Sequence, residues 1–170
     1  MPFGGKGSGI GRSITLDLVS RGLGVFIVGR RLEKLQETVG LSKHPDNIVI
    51  IHADVSKEEG RNKIKQAIGD HNLRFLIHNA GIVGPLKSIK NVEIQEYRQV
   101  METNVEAPIF LTKLLIPTLE RSAKKNGISS RILHVSSGCA HRASGKFINH
   151  VYRTNIDKLY EQRELALLFS

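Results

Sequence analysis

A cluster of glycines almost at the start of the chain, Gly4-Gly5-Lys6-Gly7-Ser8-Gly9-Ile10-Gly11, constrains the fold more than any other feature of the sequence. Apolar residues with helical spacing follow at once, beginning with Ile14 and continuing through Leu18. The combination predicts a tight turn that leads into a helix, and its bare backbone could hold a phosphate at the helix N-terminus. A flexible glycine-rich leader is the alternative, because glycine-rich turns before helices are common.

The remaining sequence alternates between apolar runs typical of buried strands and segments with helical periodicity. We predict strands over 24–29, 47–53, 73–78 and 131–135, and helices over 8–21, 32–39, 57–68, 94–124 and 152–169. Pro108 and Pro117 should interrupt the long fourth helix, with a break near Val105 to Pro108. Such alternation predicts one α/β domain over residues 1–170, a Rossmann-like doubly wound parallel sheet with right-handed crossovers.

The net charge of +9 raises the question of an anionic partner such as a nucleic acid. The basic residues are scattered, however, and their densest groups include Arg30-Arg31 and Lys124-Lys125. Aromatic residues make up only 5% of the chain and there is no Trp, which argues against base-stacking modules. We therefore predict no nucleic-acid partner and retain DNA binding only as a minor alternative.

Cysteine content and hydropathy indicate the compartment. Cys139 is the only cysteine, so no intrachain disulfide can form and a reducing compartment fits. No apolar run approaches the ~20 residues needed to cross a bilayer, and the N-terminus lacks the apolar stretch of a signal peptide. We expect a cytoplasmic protein with no membrane partner and no metal site.

Short polar signatures fall at the predicted ends of successive strands, where open α/β sheets bind their ligands. Asp54-Val55 follows one strand, Asn79-Ala80-Gly81 the next, and Ser136-Ser137 the last, while Asn104-Val105 lies in the long helix. Together with the G-x-x-x-G-x-G spacing of Gly5, Gly9 and Gly11, this set resembles the classical type of the short-chain dehydrogenase/reductase family. The resemblance covers essentially the whole chain.

The resemblance implies a nicotinamide dinucleotide cofactor and assigns residues to it. The glycine turn would hold the diphosphate, the Asp-Val pair would touch the adenine ring, and the Asn-Ala-Gly turn would support the sheet and border the cofactor. The implied residues are Gly5, Ser8, Gly9, Ile10, Gly11, Asp54, Val55, Asn79, Ala80 and Gly81. Each signature has a structural alternative, since Asp54 could simply cap the next helix and Asn79 could belong to an ordinary turn.

Arg30 occupies the position after the strand over 24–29 where a carboxylate would bind a ribose 2′-hydroxyl. A guanidinium suits a 2′-phosphate instead, through bidentate charge-assisted hydrogen bonds. Arg30, together with Arg31 or Arg12, therefore favours NADP over NAD. A solvated arginine at the start of a helix is the alternative.

The resemblance also implies the chemistry. Tyr152 would exchange a proton with a small carbonyl or alcohol substrate, Ser137 would orient that substrate, and Asn104 would position a water-linked proton path. Tyr152 lies 15 positions after Ser137, close to the interval usual in the family. The alternative is that these residues have no catalytic role. Ser137 would then be an ordinary loop serine, Tyr152 would begin a helix, and Asn104 would lie at a helix kink.

The sequence departs from the family in two respects. In the family a lysine four residues after the tyrosine lowers the tyrosine pKa, but this chain has Ile156 at that position. Lys158 cannot replace the lysine in a regular helix, because it would point about 200° away from the position of Ile156. The sequence also lacks the strand that should precede the glycine turn and the segments that should follow the last helix. A fragment, a shortened isoform or a decayed gene product would explain these departures. The alternative function is thus an impaired member that binds cofactor or a partner without turnover.

Homodimers formed through the long kinked helix and the last helix are common in the family. Leucines could furnish an apolar face for such a contact, namely Leu111, Leu114, Leu115, Leu159 and Leu167. Packing of the same leucines on the chain's own sheet explains them equally well.

Overall fold

A computed structural model describes residues 9–85 and 87–136 of the chain. Every helix and strand predicted within these residues is present, with boundaries shifted by a residue or two. The helices are α1 (Ile10–Ser20), α2 (Leu32–Gly40), α3 (Glu58–Ile68), α4 (Ile94–Met101) and α5 (Ala107–Asn126), and the strands are β1 (Val25–Gly29), β2 (Ile48–His52), β3 (Phe75–His78) and β4 (Arg131–His134). Short 3₁₀ turns lie at Pro45–Asn47 and Ile89–Asn91, and a π-helical turn over Glu102–Glu106 joins α4 to α5.

The strands form two parallel pairs. β1 pairs with β2 so that Val25 lies opposite Ile48, and β3 pairs with β4 so that Phe75 lies opposite Arg131. Parallel pairs joined through helices confirm the predicted α/β, Rossmann-like architecture.

Within the described ranges no strand joins the two pairs. A doubly wound sheet of order 3-2-1-4-5 would place one strand there, between β1 and β3. A cavity of about 350 Å³ opens at this position and is lined by the beginnings of both strands, including Val25 and Phe75. The two described pairs are therefore separated at the position that this order gives to its first strand.

The main core forms where α3 and α5 pack on the strands. Leu76 of β3 and Leu111 and Leu115 of α5 are fully buried, and Ile64 and Ile68 of α3 join them in one cluster. Leu111 and Leu115 thus pack within their own chain. This is the alternative predicted above to their forming part of a dimer interface. The exposed apolar residues of α5 are instead Ile109, Phe110 and Ile116.

Two backbone features end or bend helices as the sequence predicts. Gly22 takes a left-handed conformation (φ 81°) just after α1, a position that suits glycine because it has no Cβ. The predicted break in the long helix is a π-helical turn over Glu102–Glu106, directly before Pro108. Pro117, in contrast, lies inside α5 without interrupting it. Proline has no N–H, so the carbonyl four residues earlier, that of Lys113, loses its helical hydrogen bond. Lys113 is exposed, and water can solvate this carbonyl.

Among residues 9–85 and 87–136, none of the helices combines the length and the apolar character that a membrane span requires.

Candidate functional site

The carboxyl ends of three strands converge on one small cleft of about 100 Å³. Residues that directly follow β1, β2 and β3 form its walls, and α2 and the π-helical turn close its sides. The lining includes Arg30, Arg31, Lys34, Asp54, Val55, Ala80, Gly81, Ile82 and Thr103. Of the predicted cofactor residues, the structure therefore brings Arg30, Asp54, Val55, Ala80 and Gly81 to a single cleft.

The N-terminus of α1 is the described part of the glycine cluster. Gly9 precedes the first helical residue, Ile10, and no side-chain hydrogen bond caps the helix. Among the described residues, none has an atom within 4 Å of a Cβ added at Gly9. Gly11 is buried and its carbonyl accepts a hydrogen bond from the Thr15 hydroxyl at 2.9 Å. A helix N-terminus with its aligned N–H groups suits an anion.

Arg30 is an exposed cation of the cleft. Its side chain is 62% exposed, and its ion pair with Asp54 is long, at 3.9 Å from Nη1 to Oδ2. The Arg30 carbonyl accepts a hydrogen bond from Nε2 of His52 at 3.0 Å, which fixes the backbone at the end of β1. A positioned backbone and a loosely held guanidinium leave Arg30 able to pair with a phosphate.

Arg12 is placed differently. Its Nη2 lies 3.0 Å from Oε2 of Glu37 and its Nε donates to the Thr38 hydroxyl at 3.2 Å, so this side chain packs α1 against α2. Lys34 and Arg12 both donate to the Glu37 carboxylate, and these bonds hold the Glu37 pKa below its ordinary value. Because the Arg12 side chain already pairs with Glu37 and Thr38 between α1 and α2, Arg30 is the better candidate for a contact with a ligand.

Asp54 combines a structural and a binding position. Its Oδ1 accepts hydrogen bonds from the Ser56 amide at 2.9 Å and the Ser56 hydroxyl at 2.7 Å, which holds the turn between β2 and α3. Its other oxygen points toward Arg30. The capping alternative is wrong, because the N-cap residue of α3 is Lys57 and no side-chain hydrogen bond caps that helix. Asp54 instead holds the turn before α3 and lines the cleft.

Gly60 supports this turn, and the sequence analysis did not single it out. A Cβ at Gly60 would lie 2.0 Å from the Asp54 carbonyl oxygen and 2.7 Å from its carbon, far inside any allowed contact. Only glycine therefore lets the first turn of α3 approach the Asp54 backbone this closely. The sequence feature that could have predicted this contact is a glycine inside an amphipathic helix, since such a glycine often allows another part of the chain to pack closely.

Asn104 lies in the π-helical turn, a feature frequent at functional sites. Its Oδ1 accepts from the Ile82 amide at 2.8 Å and its Nδ2 donates to the Ile82 carbonyl at 2.9 Å. The side-chain amide is thus bonded to the loop that follows Asn79-Ala80-Gly81. Asn104 positions the wall of the cleft, and Ile82, its partner, was not predicted.

A second contact ties the π-helical turn to the start of α3. Lys57 Nζ lies 2.9 Å from Oε2 of Glu102, and this hydrogen bond raises the Lys57 pKa above its ordinary value. Both residues are near the surface, so the pair contributes little stability by itself. It does connect the Asp54 turn with the π-helical turn that holds Asn104, and both turns contribute residues to the cleft.

Two histidines stack between the carboxyl ends of β3 and β4. The rings of His78 and His134 lie 4.6 Å apart with an interplanar angle of 24°, and His78 Nε2 forms a 2.9 Å hydrogen bond with the Thr112 hydroxyl of α5. His78 is only 5% exposed. Burial, and secondarily the neighbouring His134, lower the His78 pKa well below its ordinary value.

This pair predicts a loss of stability in mild acid. The folded state lowers the His78 pKa, so the unfolded chain binds this proton at a higher pH than the folded chain does. The free energy of unfolding is therefore highest above the unfolded pKa of His78, and it decreases as the pH falls toward the folded pKa. We expect the urea midpoint to fall between about pH 7.5 and pH 5, and to fall less in His78→Gln. The exposed His44 provides the control, because His44→Gln should follow the wild-type curve. Equal pH dependence of all three proteins would contradict the prediction.

Several predicted site residues lie outside the described residues, namely Gly5, Ser8, Ser137, Tyr152 and the departure at Ile156. Ser136, next to Ser137, is described and is exposed just after β4, where the Val135 amide donates to the His78 carbonyl at 2.9 Å. The roles assigned to Ser137 and Tyr152 therefore stay predictions.

Parallel strands whose carboxyl ends surround a cationic cleft, beside a helix that begins at glycine, define a Rossmann-like α/β domain. The sequence model described as short chain dehydrogenase matches residues 4–152. The chain belongs to the short-chain dehydrogenase family.

Individual relatives agree with this assignment. The chain is 28% identical over 144 residues to 17-beta-hydroxysteroid dehydrogenase type 3 of Homo sapiens, covering 80% of this chain and 43% of the relative. It is 30% identical over 167 residues to the oxidoreductase YvaG of Bacillus subtilis (strain 168), covering 96% of this chain and 60% of the relative. Among solved structures, 3-ketoacyl-(acyl-carrier-protein) reductase from Brucella melitensis complexed with NADH matches with a TM-score of 0.81 and 25% identity, covering 91% of this chain and 64% of that chain. The chain thus spans roughly half the length of the curated relatives.

Proposed function

We propose that this chain binds NADP across the carboxyl ends of its strands and acts as an oxidoreductase on a small carbonyl or alcohol. The observation that carries the proposal is the cleft shared by the ends of β1, β2 and β3, with the exposed Arg30 at the place where the ribose would lie. NADP rather than NAD is favoured because Arg30 and Arg31, not a carboxylate, follow β1.

The residues present fit such a cofactor in three ways. α1 begins directly after Gly9 with no side-chain cap, and the N–H groups of such a helix N-terminus can bind a diphosphate. The guanidinium of Arg30 can pair with a 2′-phosphate, while the Asp54 turn and Val55 form a wall that an adenine ring could contact. Asn104 holds this geometry through its two hydrogen bonds to Ile82.

The bound nicotinamide would supply or accept a hydride at the substrate carbon. Ser137 would orient the substrate oxygen, and the Tyr152 hydroxyl would give a proton to that oxygen in reduction or take it in oxidation. A free tyrosine titrates near pH ~10, which is too high for efficient general catalysis at neutrality. The family lysine that corrects this is replaced by Ile156, so the second candidate is a member that binds NADP without turnover.

Cofactor titration with an Arg30 variant tests the proposal. Arg30→Ala should weaken NADPH binding by about tenfold or more and change NADH binding by less than about twofold, because only NADPH carries the 2′-phosphate. Arg21→Ala is the matched control, since Arg21 is an exposed arginine that pairs with Asp17 at the other end of α1. Calorimetry measures all three proteins. An equal loss for both cofactors, or for both variants, would argue against the assignment of Arg30.

Two further results decide the wider proposal. If folded protein produces no heat with millimolar NADPH or NADP, the cofactor assignment and the enzyme assignment both fail. If NADPH binds but is not consumed with a panel of diketones and aldehydes, the second candidate is favoured, in line with Ile156.

A further inference from the structure

The turn between β2 and α3, residues 54–57, forms part of the wall of the cofactor cleft. Asp54 and Val55 line the cleft, and the Asp54 carbonyl accepts a hydrogen bond from the Lys57 amide at 3.2 Å. The Asp54 carboxylate holds Ser56 through the two bonds described above. These bonds use the carbonyl and the side chain of Asp54, whereas the carbonyls of Val55 and Ser56 are held by a different residue.

That residue is Arg61, near the start of α3. Its Nη1 donates to the Val55 carbonyl and to the Ser56 carbonyl, both at 2.9 Å. A guanidinium Nη carries two N–H donors, so one nitrogen can make both bonds. Arg61 is half-buried, and hydrogen bonds donated by a cation are stronger than those between neutral groups. Arg61 therefore ties the backbone of the turn to the helix that follows it.

A phenylalanine of α5 supports the same guanidinium. Cζ of Arg61 lies 5.7 Å from the centroid of the Phe110 ring, within the range of a cation–π contact. Phe110 is 45% exposed and lies in the first turn of α5. Arg61 thus joins the turn to α5 as well as to α3. Because the contact restricts a long side chain, it also reduces the freedom of the group that holds the turn.

The cleft is lined by Val55 but not by Arg61, so a ligand there would meet the turn rather than the guanidinium. We propose that Arg61 is a positioning residue for the adenine half of the cofactor. It fixes the wall formed by Asp54 and Val55 without contacting the cofactor. A wall that is ordered before binding does not have to be ordered by the ligand, which improves affinity. This inference rests on the proposed binding of NADP.

Cofactor titration of Arg61→Met tests the proposal. Methionine keeps an unbranched side chain but has no donor for the two carbonyls. We expect the folded variant to bind NADPH and NADH more weakly, each by about fivefold or more, because the turn must then be ordered on binding. The ratio of the two affinities should stay within about twofold of the wild-type ratio, since both cofactors carry the adenine half. Arg30→Ala, in contrast, should change that ratio.

Hydrogen exchange without cofactor measures the turn itself. The Ser56 amide donates to Asp54 Oδ1 at 2.9 Å and the Lys57 amide to the Asp54 carbonyl at 3.2 Å. In Arg61→Met both amides should exchange faster than in wild type. Their rates should rise by a larger factor than those of the β3 amides, whose exchange reports opening of the core. This measurement depends on neither cofactor nor activity.

Two control variants separate the hydrogen bonds from net charge and from stability. Arg61→Lys keeps the charge and supplies donors, so it should bind both cofactors within about threefold of wild type. Lys65→Met removes one positive charge from an exposed position of the same helix and should change both affinities by less than about twofold. Urea denaturation shows that each variant is folded during titration. A merely structural role would lower the unfolding midpoint and leave the affinities of the folded protein unchanged.

Three outcomes would overturn the proposal. Arg61→Met could bind both cofactors as wild type does, it could lose affinity for NADPH alone, or Lys65→Met could lose as much affinity as Arg61→Met. The second and third results would mean that Arg61 acts through its charge and not through the turn. Wild-type protein that binds neither cofactor would instead end the proposed function, and this inference with it.

Discussion

Replacing Gly60 by alanine should lower the free energy of unfolding by about 3 kcal/mol, the upper part of the range for overpacking in a well-packed site. The new Cβ would lie 2.0 Å from the Asp54 carbonyl oxygen, and backbone cannot give way as a flexible side chain can. Either α3 or the turn after β2 must move. Urea denaturation of the purified variant measures the effect.

Gly40→Ala is the matched control for this substitution. Gly40 is the last residue of α2, and a Cβ there would meet no atom within 4 Å. Alanine has the better helix propensity, so this variant should gain up to about 0.5–1 kcal/mol. Opposite signs for the two glycine-to-alanine changes are the expected result, and a Gly60→Ala variant as stable as wild type would contradict the contact with Asp54.

Replacing Asn104 by leucine should cost about 2–4 kcal/mol of stability, because the change leaves the Ile82 amide and carbonyl without their partners in a half-buried place. Both bonds are short, at 2.8 and 2.9 Å. Leucine keeps the branched shape of asparagine, but its methyl groups are larger and form no hydrogen bonds, so both bonds to Ile82 are lost. Urea denaturation gives the stability, and calorimetry with NADPH shows whether displacement of Ile82 also widens the cleft.

Asn104→Asp separates the two bonds. A carboxylate keeps the acceptor for the Ile82 amide but has no donor for the Ile82 carbonyl, so an intermediate loss is expected. Asn91→Leu, at an exposed position, should change stability by less than about 0.5 kcal/mol. If Asn104→Leu were no more destabilising than Asn91→Leu, the positioning role of Asn104 would be wrong.

The elements and their order could be predicted from the sequence because each depends on local chemistry. Strands such as Val25–Gly29 are continuous apolar runs, and Gly22 ends α1 because it accepts a left-handed conformation. The helix break before Pro108 follows from the geometry of proline. Helical continuity through Pro117 could not be predicted, since it depends on the exposure of Lys113 in the folded chain.

For the site, the sequence was enough to predict which polar groups follow the strands, among them Arg30, Asp54 and Asn79, because parallel strands bring their carboxyl ends to one edge. The partner that each group meets depends on the folded chain. Arg12 pairs with Glu37, Asn104 bonds to Ile82, and Gly60 touches the backbone of Asp54. All three contacts join residues of different elements and depend on how those elements pack. Packing distances are set by the whole core rather than by any local stretch of sequence.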